Sequence, residues 1–405
     1  MKTTEYYRPS RSDAASLFEL EQLCFPRPWD LAEIQALIQR DPVLYTIAAF
    51  VDGCAIGYIS ATFSEPGTLH VISLCVHPEY RRRGIAGDLL GSALYWGRHM
   101  EAERVVLEVR EKNVSAGEFY SSLDFSVQRT LPDFYGEGIN GVFMEKPLKP
   151  LLHTLNTLLY LYNRLKTIPQ VGVILGSGLG WATEPFGNGQ SIPFSDIPGM
   201  SGEAVEGHSH TLRTSADGRI VFVMGRRHHY QGYSGREITL LPAALAALGV
   251  GTWVLTSSAG AVDPAYSVGD AMIFTDHINF SGCIPDSSDC FIGNNVYSPS
   301  LQRTAEQYMN NCHKGVFACV SGPAYETAAE VELIRESGAS AVSMSTAQEA
   351  LALRSMGCRV LAMALITNAA ESGDSVCHDE VLSAQETVRK KQERSIIQLL
   401  ERLSR

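Results

Sequence analysis

The sequence predicts two α/β domains joined in one chain. Its 405 residues exceed the ~150 residues of an ordinary domain. Hydrophobic residues make up 45% and charged residues 19%, which is the balance of a globular protein with a sizeable core. Apolar runs of strand character alternate throughout with stretches of helical periodicity. Two prolines within residues 146–150 interrupt this alternation, and we expect the domains to separate there because proline blocks helix and sheet pairing.

The elements of the first domain follow from hydrophobic periodicity and turn signals. Two β-rich runs flank Asp52-Gly53, a dipeptide typical of hairpin turns. Apolar residues recur at helical spacing from Ile85 to Trp96. The predicted elements are a hairpin within 43–63, strands at 69–76 and 104–109, a helix after 85, and a helix at 118–123.

The second domain repeats one arrangement, in which a buried strand ends in a polar or glycine-rich corner and a helix follows. Amphipathic helices are predicted before it, at 151–166, and at its end, at 389–405. In α/β sheets, ligands bind beyond the carboxyl ends of the strands. We therefore expect six corners to meet at one rim of the sheet: 176–180, 225–228, 256–260, 322–327, 344–346 and 367–370.

Charge and cysteine content exclude several classes of function. The net charge is −11, so a general electrostatic grip on nucleic acid or anionic lipid is not expected. The nine cysteines form no Cys-x-x-Cys pair, which indicates reduced thiols and no zinc site. The N-terminus has no apolar signal core, and the longest apolar stretch, 240–255, is too short to span a bilayer. We expect a cytoplasmic protein without a membrane partner.

A basic turn in the first domain has the pattern of a pyrophosphate site. A strand is followed by Arg81-x-x-Gly84-x-Ala86 and then by a helix. Unpaired N–H groups at the helix start, the helix dipole and small residues together let a pyrophosphate approach. Taken alone, the pattern favours a solvated basic turn before a surface helix.

The span from about residue 4 to 148 resembles the GNAT acetyltransferase superfamily, and within it the ribosomal-protein alanine N-acetyltransferases. Besides the basic turn, the resemblance rests on Cys24-Phe-Pro-Arg-Pro-Trp29, Leu107-Glu-Val-Arg110 with Asn113, Phe119-Tyr120 with Leu123-Asp-Phe125, and Asp133-Phe-Tyr-Gly-Glu-Gly138. It implies a mixed sheet flanked by helices, acetyl-CoA as co-substrate, and an amine acceptor such as a ribosomal-protein N-terminus, with lysine or a small amine left open.

The resemblance also implies roles for individual residues. Tyr120 would protonate the departing CoA thiolate, although a core aromatic fits the residue alone. Glu108 would remove a proton from the acceptor amine through water, although a solvated strand carboxylate fits as well. The residues implied in acetyl-CoA binding are Leu74, Cys75, Val76, Arg81, Arg82, Arg83, Gly84, Ile85, Ala86, Gly87 and Asn113.

The corners of the second domain carry the groups of an oxyanion site. Ser177 lies in a glycine-rich corner, Arg226 and His228 follow a strand, and Ser345 follows another. Ser258 lies in a small-residue turn whose N–H groups would form a nest for an anion. Singly, each has an ordinary explanation as a turn serine, surface arginine or helix cap.

Together these corners resemble the trimeric purine nucleoside phosphorylases over about residue 171 to the C-terminus. The matches are Gly176-Ser-Gly-Leu-Gly180, Gly225-Arg-Arg-His-His-Tyr-Gln-Gly232, Gly322-Pro-Ala-Tyr-Glu-Thr327, Ala341-Val-Ser-Met-Ser-Thr346, Ile366-Thr-Asn368 and His378-Asp-Glu-Val-Leu382. The resemblance implies a central mixed sheet, a homotrimer, and a phosphate site of Ser177, Arg226, His228, Ser258 and Ser345. It further implies nucleoside contacts from Tyr230, Tyr325, Glu326, Met344, Asn368 and His378.

Asn368 bears on the choice of base. Its amide oxygen would accept from a protonated purine N7 while its NH₂ donates to a 6-oxo group, and Glu326 would accept from N1–H. An aspartate would favour 6-amino purines, so inosine and guanosine are expected over methylthioadenosine. With His228, these residues are the expected catalytic groups, and no metal is required.

Some features depart from the family pattern. Gln231 stands where the family has a glutamate that orients His228, and the base-covering stretch 281–311 fits poorly. A protein that senses acyl-CoA or purine without turnover is therefore the alternative to a bifunctional enzyme. His208-x-His210 and His228-His229 suggest a metal, but no third ligand is evident. The expected domains are 1–148, a linker or helix at 149–168, and 169–405.

Overall fold

The computed structural model of the chain describes residues 3–39, 41, 43–151, 154–200, 209–285, 295–370 and 378–405, without the side chains of 378–383. The chain folds as two compact units, 4–155 and 156–405. The domain limits predicted from the sequence, 1–148, 149–168 and 169–405, differ from the limits of these units and remain a proposal. Among the described residues, no helix combines the length and apolarity that a bilayer crossing requires.

The first unit is a seven-stranded mixed sheet with helices. Its helices are α1 (Ala14–Cys24), α2 (Leu31–Leu37), α3 (Ile85–His99) and α4 (Val114–Ser121). Its strands are β1 (Glu5–Tyr7), β2 (Leu44–Val51), β3 (Cys54–Glu65), β4 (Thr68–Val76), β5 (Arg104–Arg110), β6 (Ser126–Leu131) and β7 (Gly141–Pro147), in the order β1-β2-β3-β4-β5-β7-β6. The predicted hairpin at Asp52-Gly53 is confirmed, with φ of 51° and 80° at its two turn residues.

Strands β4 and β5 pair in parallel only at the start of β4. Thr68–His70 pair with Arg104–Val106, and the two strands then diverge. Farther along, β4 pairs with β3 alone among the described strands, through Leu74 and Val76. Its other edge is thereby available along a cleft between β4 and β5.

The second unit is built on a nine-stranded mixed sheet, as the sequence predicts. Its helices are α5 (Thr154–Arg164), α6 (Gly235–Leu248), α7 (Pro299–Tyr308), α8 (Ala328–Glu336), α9 (Ala347–Ser355) and α10 (His378–Leu403). Its strands are β8 (Val171–Ile174), β9 (Ser191–Pro193), β10 (Thr211–Thr214), β11 (Ile220–Met224), β12 (Thr252–Ala261), β13 (Ala271–Asn279), β14 (Cys312–Cys319), β15 (Ala339–Ser343) and β16 (Arg359–Ala369). The order is β15-β14-β13-β16-β12-β8-β11-β10-β9, and β15 also pairs with β12, so five strands close on themselves.

Two of the six predicted corners are not turns, and the prediction of a turn at Ser258 was wrong. Ser258 lies inside β12, paired with Leu365, and Asn368 lies inside β16, paired with Gly260. The register shifts between Ala259 and Gly260, which marks a β-bulge. Small residues signal a turn in the sequence, but parallel pairing with β16 keeps this stretch extended.

Gly172 in β8 lets Trp253 of β12 fill the core. The Trp253 side chain is fully buried, and a Cβ at Gly172 would lie 2.5 Å from its ring. We expect Gly172→Ala to destabilise the protein by about 1–3 kcal/mol, because the ring has no room to move in a close-packed interior. Denaturant unfolding of the full chain measures this.

Gly251→Ala is the matched control, since the nearest atom to its added Cβ is 3.9 Å away. Equal unfolding midpoints for the two variants would contradict the packing argument.

Candidate active sites

A cavity of about 330 Å³ lies where strands of the second unit end. Ser177 follows β8, Arg226 and His228 follow β11, and Ser345 follows β15. Strands β8, β11, β12 and β16 run parallel, so their carboxyl ends share one edge of the sheet. The predicted residues that line the cavity are Ser177, Arg226, His228, Tyr230, Ser258, Tyr325, Glu326, Met344, Ser345 and Asn368.

Two histidines named from the sequence lie outside the described part of the chain. They are His208 and, as regards its side chain, His378. The predicted ribose contact of His378 therefore stays a prediction.

Arg226 is a buried cation, and one nitrogen of its guanidinium has no hydrogen-bond partner among the described residues. Its Nε donates to Glu349 Oε1 at 2.9 Å and its Nη1 to the Thr256 carbonyl at 2.6 Å. Its Nη2 is buried and has no hydrogen-bond partner among the described residues. Such a donor costs about 1–3 kcal/mol when left unsatisfied, so the arrangement favours an anion in the cavity that the residue lines.

His228 is a neutral imidazole at neutral pH. Burial, followed by the charge of Arg226, lowers its pKa to about 4. Its ring stacks on Tyr230, with 4.9 Å between ring centroids. Gln231 Oε1 accepts from the His228 backbone N–H at 2.9 Å, and Gln231 also hydrogen-bonds the imidazole. The amide thus positions His228 in spite of the missing carboxylate.

The lining of the cavity also carries a carboxyl group and an amide. Burial raises the pKa of Glu326 above its ordinary value. Asn368 Oδ1 accepts from the Thr367 hydroxyl at 3.1 Å, and its Nδ2 donates to the Ala369 carbonyl at 3.3 Å. Tyr325 beside them is 43% exposed. Glu326 and Asn368 together offer both donors and acceptors to a planar ligand edge.

The glycine-rich corner approaches β12 at backbone distance. A Cβ on Gly176 would lie 3.1 Å from the Thr256 carbonyl oxygen and 3.2 Å from the Ser258 nitrogen. The Ser258 hydroxyl donates to the Ser177 carbonyl at 3.3 Å. Glycine is therefore required here for the close approach of two backbones.

Sequence reasoning missed Glu349. It is 2% exposed, lies in the first turn of α9, and contacts Arg226. The signal was present as Thr346-x-x-Glu349, a capping-box pattern that the structure forms. The pattern predicts a helix start but gives no sign of the arginine.

The first unit has a cavity of about 830 Å³ in the cleft between β4 and β5. Leu74, Glu108, Asn113 and Tyr120 line it. The Asn113 side chain also accepts from the Ala116 N–H at 3.3 Å, which caps α4. Burial raises the pKa of Tyr120, so its hydroxyl keeps its proton at neutral pH.

Glu108 has a partner that the sequence did not suggest. Glu108 Oε2 lies 2.7 Å from His70 Nε2, where β4 leaves β5. The Tyr135 hydroxyl donates to the Glu108 carbonyl at 2.9 Å. The carboxylate is thus paired, and the alternative of a simple solvated carboxylate is weaker.

The basic turn before α3 lies exposed. Arg82 and Gly84 have φ of 62° and 84°, and added Cβ atoms at Gly84 and Gly87 would meet no atom within 4 Å. Arg81 Nε donates to the Val76 carbonyl at 3.0 Å, which ties the turn to the end of β4. Cys75 is buried and hydrogen-bonds Cys24 through its sulfur.

In the ranges that the structure describes, no three metal-ligating side chains cluster. His210 is among these residues, and its pKa is lowered by burial and by Arg227.

Comparisons with known proteins match each unit to a different family. A model of the phosphorylase superfamily matches residues 170–401, and one of the acetyltransferase (GNAT) family matches residues 14–125. Purine nucleoside phosphorylase 1 of Geobacillus stearothermophilus is 37% identical over 246 residues, covering 57% of this chain and 90% of that protein. The protein of the same name from Bacillus subtilis is 35% identical, and the match covers 57% of this chain and 91% of that protein. Purine nucleoside phosphorylase of Rattus norvegicus is 34% identical, and the match covers 60% of this chain and 92% of that protein.

The lowered pKa of His228 predicts a pH-dependent stability in the absence of phosphate. Histidine titrates near 6.5 in an unfolded chain and at about 4 here, so between these values the unfolded state binds more protons. Stability should therefore rise by up to about 3 kcal/mol as the pH increases across this window. His228→Gln should remove this part of the slope in urea unfolding curves recorded from pH 4 to 7.5.

His229→Gln, which removes an exposed neighbour, should keep the wild-type slope. A His228→Gln slope equal to that of wild type would contradict the burial of a neutral imidazole.

Proposed function

This chain belongs to the phosphorylase superfamily, and on that premise we propose that its second unit cleaves inosine and guanosine with inorganic phosphate. The products are the free base and ribose 1-phosphate. The buried Arg226 Nη2 carries the proposal, because Arg226 lines a cavity whose lining also holds an amide and a carboxyl group.

The phosphate dianion binds Arg226, the neutral His228 imidazole, the hydroxyls of Ser177 and Ser345, and the backbone N–H of Ser258. The glycosidic carbon becomes cationic as its bond to the base breaks. A phosphate dianion held on the side of this carbon opposite to the base stabilises the positive charge and then attacks the carbon from that side.

The departing purine is recognised at its edge. As it forms the new C–O bond, the hydrogen phosphate gives up its proton, which reaches N7 of the departing base through water. Asn368 Oδ1 accepts from this N7–H and its NH₂ donates to the 6-oxo group, while Glu326 accepts from N1–H. Tyr325 packs on the base. Tyr230, Met344 and His378 contact the ribose, and the protein is a cytoplasmic homotrimer.

Two alternatives to this activity depend on particular residues, Asn368 for one and Gln231 for the other. A methylthioadenosine phosphorylase-like enzyme needs an acceptor at the 6-amino group, which the NH₂ of Asn368 does not provide. A sensor that binds purine without turnover would follow if the amide of Gln231 could not replace a carboxylate beside His228. Release of hypoxanthine from inosine only when phosphate is present excludes the sensor.

The first unit is a GNAT acetyltransferase domain, and we propose that it acetylates a protein amine, an N-terminal α-amine such as that of a ribosomal protein or a lysine. Arg81–Gly87 hold the pyrophosphate of acetyl-CoA, and the free edge of β4 at Leu74–Val76 pairs with its pantetheine arm. Glu108, paired with His70, takes a proton from the acceptor ammonium through water. The amine attacks the thioester carbonyl, the C–S bond breaks, and Tyr120 protonates the CoA thiolate.

Asn368→Asp should reverse the base preference. The carboxylate of the variant repels the 6-oxo group of inosine, because both groups are hydrogen-bond acceptors. It can accept a hydrogen bond from the 6-amino group of adenosine. We expect kcat/KM for inosine to fall about 100-fold or more, with a gain for adenosine. Phosphate-dependent base release from both nucleosides measures this.

Asn188→Asp, on the surface of the same unit, should leave both values unchanged. An unchanged inosine-to-adenosine ratio in Asn368→Asp would remove Asn368 from base recognition.

Tyr120→Phe should lower kcat for acetyl transfer to a peptide amine about 100-fold or more, with little change in the KM for acetyl-CoA. The hydroxyl is the only group removed, and the ring packing against Phe125 stays. CoA release with a panel of peptide amines measures it. Tyr7→Phe, in a ring stacked on Phe50, is the control. Equal kcat in the two variants would exclude Tyr120 as the acid.

A further inference from the structure

We propose that Glu349 is a positioning residue for the phosphate site, fixing Arg226 and Ser345 relative to each other. The inference rests on the proposed phosphorolysis for its substrate. Glu349 would touch neither phosphate nor nucleoside, since the residue does not line the cavity within the described structure.

Each carboxylate oxygen of Glu349 has its own donor. Oε1 accepts from Arg226 Nε at 2.9 Å, and Oε2 accepts from the Thr346 backbone N–H at 2.8 Å. The Glu349 and Arg226 side chains are 2% and 3% exposed. The carboxylate thus bridges a residue after β11 to one after β15.

The bond to Nε fixes the plane of the guanidinium. With Nη1 held by the Thr256 carbonyl, two edges of Arg226 are set by protein groups. Nη2, which has no partner among the described residues, is the nitrogen that this arrangement presents to a ligand. A rotation about the last side-chain bonds would move this donor away from its ligand, and Glu349 prevents that rotation.

The bond to Thr346 holds a strained backbone. Thr346 is a fully buried β-branched residue with φ of 83°, a conformation that favours glycine and costs about 1–3 kcal/mol. Ser345 directly precedes it, and the Ser345 carbonyl accepts from Cys319 Sγ at 3.5 Å. The strained residue therefore sets where the Ser345 hydroxyl lies in the cavity.

An amide cannot take the place of this carboxylate. Both neighbours are donors, and a glutamine has one acceptor oxygen and one NH₂ group. In Glu349→Gln, one of the two donors must face the NH₂, so either Arg226 or Thr346 loses its support.

Because Glu349 is negatively charged, a pure charge effect and a positioning role predict opposite changes in the affinity for phosphate. A buried carboxylate near the site repels a phosphate dianion, so if charge alone mattered, Glu349→Gln would bind phosphate more tightly. Positioning predicts the opposite. A misplacement of this kind weakens interactions at the reacting centre by about tenfold or more.

The test compares Glu349→Gln with Glu237→Gln in the full-length protein. Glu237 occupies the same helix position in α6 and accepts from the Ser234 backbone N–H at 2.9 Å, but it is exposed. We expect Glu349→Gln to raise the KM for phosphate at least tenfold, to leave the KM for inosine within about threefold, and to regain kcat at saturating phosphate. Glu237→Gln should match wild type.

Calorimetric titration with inorganic phosphate gives a readout that needs no turnover. Wild-type protein that binds phosphate without releasing hypoxanthine would overturn the proposed reaction, while the Kd values of the two variants would still decide the role of Glu349. Unchanged or tighter phosphate binding by Glu349→Gln would overturn the positioning role. Should Glu349→Gln not fold, Glu349→Asp replaces it, because the aspartate is too short to reach both donors. Weaker phosphate binding is again expected, and unchanged or tighter binding would again overturn the positioning role.

Discussion

The buried ion pair of Arg226 and Glu349 is the constraint on which the second site depends. An uncompensated guanidinium in this interior would cost several kcal/mol, and the carboxylate and the Thr256 carbonyl offset that cost on two sides. Placing the cation there also keeps His228 neutral, because burial and the nearby positive charge both disfavour its protonation. The site thus combines one fixed charge with one neutral donor, which suits a dianion.

The sheet brings these groups together from distant parts of the chain. Parallel strands deliver Ser177 and Arg226 to one edge, and the extra pairing of β15 with β12 brings Ser345 to the same place. Close backbone approach at Gly176 and positive φ at Thr346 are local costs of that convergence. The sheet supports them because the central strands β8 and β12 are largely buried and each is paired with a strand on both sides.

Sequence patterns indicated which residues line the cavity, but they were less successful in predicting the local backbone structure of those residues. The hairpin at Asp52-Gly53 follows from turn chemistry alone and is present. Ser258 was misplaced because small residues resemble a turn when the pairing strand is unknown. Glu349 and His70 could not be found for a different reason. Each is defined by a partner more than 30 residues away in the chain, and neither capping nor periodicity carries that information.

The anion sites proposed for the two units of this chain, whose net charge is −11, differ in their exposure. Arg81 to Gly84 are exposed around a helix start, which suits a long cofactor whose diphosphate stays near solvent. Arg226 is buried and lines a cavity of about 330 Å³, where three of its nitrogens are held or shielded by the protein interior. An exposed charge is screened by salt and serves many anions, whereas a buried and oriented one discriminates by shape. The overall acidity therefore acts against loose anion binding, and anion binding at either proposed site would depend on its local geometry.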